Sequence, residues 1–115
     1  LEKQRKGIPL EICFDIDGVL VSRTLDSDYE KALPNLGLIN LLRLLYKRGH
    51  RIVLHTARGS KTGKDWKAIT TEQLNRFDIP YHELLFGKPG SDFYIDDRFI
   101  SPEKLSNLLI KMNTN

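Results

Sequence analysis

With 115 residues, 40% of them hydrophobic and 29% charged, the chain fits one compact globular domain and leaves little room for a second. A domain of this length buries a core without disulfides, and its single cysteine, Cys13, has no internal partner, which suits a reducing, cytoplasmic setting. The net charge of +3 forms no stripe interleaved with aromatics, no N-terminal apolar stretch suits a signal peptide and no run nears membrane-spanning length, so neither nucleic acid nor membrane is an expected partner.

Residues 1–8 read as a basic linker or N-terminal tail, and a start at Leu1 rather than Met suits a domain within a longer polypeptide. Residues 9–16, apolar and ending in acid, predict a buried parallel strand in which Cys13 is an inert thiol. Asp17-Gly18 supplies turn chemistry, and the polar, irregular stretch 19–33 reads as a flap or extended loop. Pro34 is placed to open a helix whose stripe is Leu38, Leu41, Leu42 and Leu45, closed by Lys47-Arg48-Gly49. Residues 51–56, rich in β-branched side chains, predict a second strand, and 57–64 a glycine-bearing loop. A helix is expected over about 65–77 with Trp66, Ile69, Gln73 and Phe77 on one face, then a short strand near 83–86. Residues 92–95 predict a fourth strand ending in Asp96 and Asp97, and Ser101-Pro102 starts a last helix with Leu105, Leu108, Leu109 and Met112 as its stripe. Strand and helix in alternation argue for an α/β fold, a three-layer sandwich around a central parallel sheet.

In such a sheet the C-terminal strand ends open into one crevice, where ligands bind. Asp15 and Asp17 end the first strand, Thr56 the second, and Asp96 with Asp97 the fourth; Lys88 lies just before that fourth strand. Four carboxylates crowded together need a cation or protons, and hard oxygen ligands beside a lysine and a hydroxyl suit Mg2+ and a phosphate. Metal, carboxylate nucleophile and cationic clamp together make a phosphoryl-transfer site. Blander readings stand beside this one: Lys88 as a solvated loop lysine, and Asp96-Asp97 as the cap of the turn into Arg98. Arg23, Arg58 and Arg98 are candidate substrate contacts, although exposed arginines paired with surface acids are the default. Trp66 and Phe77 read as core, and His55 as packed or partly exposed.

The sequence resembles the haloacid dehalogenase superfamily of phosphatases. Phe14-Asp15-Ile16-Asp17-Gly18-Val19 is similar to their first motif, and Ile52-Val53-Leu54-His55-Thr56 to their second. Lys88 stands where the third places its lysine, and Phe93-Tyr94-Ile95-Asp96-Asp97 is similar to the fourth. The four motifs come in order and cover most of the chain. His55-Thr56-Ala57-Arg58-Gly59 and Phe86-Gly87-Lys88-Pro89 also resemble small phosphatase domains of capsule or surface-polysaccharide biosynthesis, some fused to sugar nucleotidyltransferases. The resemblance implies a Rossmann-like core over residues 9–115 and an aspartyl-phosphate formed on Asp15. Asp17 would serve as general acid and base, and Thr56, Ala57 and Lys88 would hold the phosphoryl oxygens. Mg2+ would be held by Asp15, Asp17, Asp96 and Asp97, and the substrate would be a small phosphorylated metabolite, a sugar or polyol phosphate.

Neither 19–33 nor 57–64 is long enough for a cap domain, so the site would be open or completed by the flap or by a partner subunit in a homo-oligomer. A receiver-type signalling domain has its acids, Thr and Lys in another order. A catalytically idle scaffold remains an alternative, and metal-dependent sugar transfer through Asp-x-Asp lacks a nucleotide-binding stretch.

Overall fold

The computed structural model describes residues 9–26 and 28–113, the side chains of 108–113 aside. Three strands, β1 (Glu11–Asp15), β2 (Arg51–Thr56) and β3 (Glu83–Phe86), form a parallel sheet in the order β1-β2-β3. Three helices accompany them: α1 (Leu36–Lys47), α2 (Lys67–Arg76) and α3 (Pro102–Asn113). Parallel neighbours need a crossover, and α1 and α2 lie in the β1–β2 and β2–β3 connections. Helix α1 packs against β2 and against α3. The expected linker or tail at residues 1–8 lies outside the described residues, as does the placement of Leu108, Leu109 and Met112 on a buried stripe.

Register fixes which residues share an end of the sheet. Phe14 lies beside Leu54, which lies beside Leu84, and Asp15 lies beside His55. At the opposite, N-terminal end, Arg51 bridges Glu11 at 3.0 Å and Glu83 at 2.9 Å across all three strands. Two histidines for which the sequence suggests no role also serve this end, with Nδ1 of His50 accepting from the Leu10 N–H and Nδ1 of His82 from that of Ile52. Structural pairing thus occupies one end of the sheet and leaves the C-terminal end to other chemistry.

Helix α1 starts on Asn35, whose side chain accepts from the Leu38 N–H; Pro34 stands outside the helix, bridged to Val21. It stops at Gly49, whose φ of +89° permits the left-handed turn by which Gly49 and His50 donate to the carbonyls of Tyr46 and Leu45. Leu38, Ile39, Leu42 and Leu45 are its buried face, joined in the core by Phe14, Ile16, Leu20, Ile52, Leu54, Leu74 and Leu105. Helix α2 buries Thr70, Gln73 and Leu74; of the expected face Gln73 is buried, whereas Ile69 and Phe77 are only half-buried. Trp66 is buried, as expected.

Two further expectations are corrected. The described residues of 19–33 are the irregular loop expected but no free flap: Leu20, Val21 and Ala32 are core residues, Ser22 N–H donates to the Leu33 carbonyl, and Tyr29–Lys31 forms a 3-10 turn. The fourth strand does not form. Residues 92–96 are irregular, and the side chains that a sheet would cover are open to water, Phe93 at 87% and Ile95 at 101%. Tyr94 is drawn elsewhere: its hydroxyl donates to the Pro89 carbonyl, and its ring lies 4.1 Å from the Lys88 ammonium. Strand β1 is therefore an edge, and Cys13, expected to be buried, is exposed on it. The described residues thus form a small α/β domain with a three-stranded parallel sheet, and no helix among them is long and apolar enough to cross a membrane.

Candidate active site

Asp15 ends β1, where a parallel sheet presents its binding crevice. Its Oδ1 accepts from the Ile16 N–H at 3.0 Å and its Oδ2 from Nζ of Lys88 at 2.9 Å, a residue 73 positions later. Lys88 is delivered by the end of β3. Its N–H donates to the Thr56 carbonyl at 3.2 Å, extending the ladder by one bond, and its own carbonyl accepts from Ser60 Oγ at 2.6 Å. The backbone is thus pinned on both sides while the ammonium reaches Asp15. The expected convergence of Asp15 and Lys88 is present.

Asp17 sits two residues on, in a turn whose core is the Ile16 carbonyl accepting from Val19, Leu20 and Val21. Gly18 lies against the side chain of Arg23, whose Nε would stand 3.0 Å from any added Cβ, which places this otherwise exposed arginine beside the turn.

Both Asp17 oxygens are taken by one guanidinium. Arg58 Nε donates to Oδ2 at 3.0 Å and Nη2 to Oδ1 at 2.9 Å, a bidentate pair of the strong, orienting kind. Arg58 is not the exposed arginine that a loop position suggests: its side chain is wholly buried, and Asp17 is 20% exposed. It is built in from every side. Its backbone N–H donates to Thr56 Oγ1, Nη1 donates to Thr70 Oγ1 and Nη2 also to Gln73 Oε1, while Tyr29 lies 4.5 Å beneath the guanidinium. Next in sequence, Gly59 holds φ +81°, and a Cβ there would stand 2.3 Å from the Lys64 carbonyl oxygen. That close approach folds the 57–64 loop back and leaves Arg58 pointing inward.

Thr56 is fully buried, and its hydroxyl serves the Arg58 N–H rather than opening onto the crevice. Ala57 is half-buried, with its carbonyl taken by the Ser60 N–H.

Asp96 and Asp97 form no metal-holding group with the other acids. Both are exposed, and Asp96 Oδ1 accepts from the Arg98 N–H at 2.9 Å, the turn-capping arrangement weighed above. That N–H, first, and then a hydrogen bond with the Asp97 side chain hold the Asp96 carboxyl below the usual carboxylate range. Arg98 is exposed too. Among the described residues no three His, Cys, Asp or Glu side chains are grouped to hold a metal ion. The expected crowd of four carboxylates is instead two acids, each with its own cation.

Cys13 lies on the same strand. Its sulfur is partly shielded although the residue is exposed, and this desolvation pushes its thiol up; Lys88 opposes the shift, and Asp15 and Glu11 reinforce it. Two open depressions lie elsewhere, along α2. One, of about 280 Å³, is lined by Glu30, Ala68, Ile69, Glu72, Gln73 and Arg76.

Tyr29 and Thr70 are the residues that sequence reasoning passed over, and Gln73, expected on the packed face of its helix, was given no role at the site. Their one signal is a pair of polar side chains, Thr70 and Gln73, three apart on a helix face that should be apolar.

A parallel α/β domain with paired acids and cations at the carboxyl end of its sheet is the class defined by these observations. No family model and no curated protein matches the chain. A crystal structure of a structural-genomics target from Vibrio cholerae is 36% identical to it, with a TM-score of 0.76, covering 91% of this chain and 94% of the other. The chain belongs to the family of that Vibrio cholerae protein. It is also similar to a chain of a Pnkp1/Rnl/Hen1 complex at 19% identity and a TM-score of 0.57, over 90% of this chain and 34% of the other, a likeness of fold alone.

Proposed function

We propose that the chain is a Mg2+-dependent phosphomonoester hydrolase of the haloacid dehalogenase type, with a Rossmann-like three-layer core. The observation that carries this reading is the Asp15 carboxylate at the end of β1, matched at 2.9 Å by the ammonium of Lys88, with Asp17 two residues away. An Asp15 oxygen attacks phosphorus as the bond from phosphorus to the leaving oxygen breaks, and Asp17 gives its proton to that oxygen. Asp17 then takes a proton from water, whose oxygen attacks the aspartyl-phosphate, releasing phosphate and restoring Asp15. Lys88 offsets charge on the phosphoryl oxygens and on Asp15.

Mg2+ takes one or two carboxylates and keeps several waters, so an Asp15 oxygen and the backbone carbonyl of Asp17, whose own carboxylate is taken by Arg58, are donors of the type that would hold it. Bound there, the cation would supply charge neutralisation for the phosphoryl group. Asp96 and Asp97 join this set only if their exposed segment closes toward the open edge of β1 beside Asp15. The substrate class in this reading is a sugar or polyol phosphate of polysaccharide biosynthesis, handled in the cytoplasm, and the domain works as a homo-oligomer or fused to a nucleotidyltransferase-type domain.

A phosphate-release screen across sugar phosphates, polyol phosphates and nucleotides tests the reading. It expects turnover that needs Mg2+, stops with chelator and falls about a thousandfold or more in Asp15→Asn. One observation favours a catalytically idle or receiver-like interaction domain instead: both acids already have cationic partners, and among the described residues no three acids are grouped to hold a metal ion. No release from any substrate, or an Asp15 phosphate that persists without turnover, would establish that second reading.

A further inference from the structure

We propose that Arg58 is a positioning residue for Asp17, and that it ties the orientation of that carboxylate to the seating of the 19–33 segment. Two parallel hydrogen bonds fix the plane of the Asp17 carboxylate and leave its remaining lone pairs facing away from the guanidinium. The guanidinium is itself held by Thr70 and Gln73 on α2. Gln73 then donates from Nε2 to the Tyr29 carbonyl at 2.8 Å, and the Tyr29 ring stacks on Arg58 and meets Trp66 edge-on, 4.8 Å between centroids. An unbroken chain of contacts thus runs from Asp17 through Arg58 and Gln73 to the 3-10 turn of the segment that follows Asp17. Burial of Arg58, Thr70 and Gln73 gives the chain one arrangement, because displacing any of them strands a buried polar group. Lysine could not replace Arg58, as a single ammonium cannot grip both oxygens in one plane.

The inference rests on the general-acid role proposed for Asp17, so its test has one arm that needs no activity. In a 15N-labelled chain, the Nε–H of Arg58 should give a resonance protected from solvent exchange, which shifts or disappears in Asp17→Asn. A resonance unchanged in Asp17→Asn overturns the contact, whether or not any substrate is turned over.

The second arm follows kcat and KM across phenyl phosphates graded from p-nitrophenyl to p-methoxyphenyl. Proton donation matters most for the poorest leaving group. Arg58→Lys should therefore lower kcat about thirtyfold or more on p-methoxyphenyl phosphate and less than about threefold on p-nitrophenyl phosphate, with KM little changed. Thr70→Val, which removes one acceptor at constant shape, should tilt the series the same way by a smaller factor and covers the case in which Arg58→Lys does not fold. An equal fall across the series in both variants would make Arg58 a merely structural residue and overturn the proposal. A wild-type chain that releases no phosphate from any member removes the hydrolase reading, and the resonance then decides the positioning alone.

Discussion

Asp15 and Lys88 form a charge pair between the two usual regimes, their side chains 31% and 17% exposed. Fully exposed pairs contribute about 0–1 kcal/mol, whereas breaking a buried one costs about 3–5 kcal/mol. Lys88→Met should therefore cost about 1–2 kcal/mol of stability by urea unfolding, yet lower phosphate release about a hundredfold or more. A loss of stability without a loss of turnover would make Lys88 a structural partner only. Cys13 offers an independent check. Its thiol is pushed up by desolvation, so the folded state favours the neutral form. That contribution is full below the thiol value of the unfolded chain and is lost as pH rises through the higher folded value. Alkylation of Cys13 at pH 8 should accordingly run slower than that of a free thiol despite its exposure, and stability should decline on the alkaline side. Alkylation as fast as a free thiol would contradict the shift.

Helix α2 ends on Asp78, at φ +54°, where its N–H and that of Ile79 donate to the carbonyls of Asn75 and Leu74. Arg43 of α1 caps the same end, donating to the carbonyls of Phe77 and Asp78. The Asp78 carboxylate is exposed and 3.9 Å from Arg43, a weak contact. Asp78→Gly keeps the carbonyl and relieves the backbone, so the urea midpoint should rise by the equivalent of about 0.5–1 kcal/mol. A lower midpoint would mean that the carboxylate contributes more than the strain. Gly59→Ala should act in the opposite sense, costing about 2 kcal/mol or more, since its Cβ would meet backbone rather than a flexible side chain. Two strands were legible to the residue: 51–56 and 83–86 read from sequence coincide with β2 and β3. The 92–95 run has the same β-branched and aromatic character but lacks a layer to cover it, and propensity does not report whether such a layer exists. The α2 face was read only in part, for a related reason. Hydrophobic periodicity locates apolar burial, and Thr70 and Gln73 are buried by hydrogen bonding to Arg58.

For the whole molecule, the alternation of strand and helix made the parallel sheet and its carboxyl-end crevice readable, and with them the meeting of Asp15 and Lys88 across 73 residues. The role of Arg58 was not readable. A guanidinium beside a glycine loop reads as exposed, and only the fold-back at Gly59 turns it toward Asp17. Nor was the exposure of Asp96 readable, because it depends on where an apolar segment finds cover. The central claim is that Asp15 takes the phosphoryl group. It is tested most directly by acid-quenching the chain during turnover of p-nitrophenyl phosphate with Mg2+ and sequencing its peptides by mass spectrometry. The account predicts one phosphoryl group on Asp15, absent in Asp15→Asn and short-lived in the wild type. Sustained phosphate release with Asp15 never modified would contradict it.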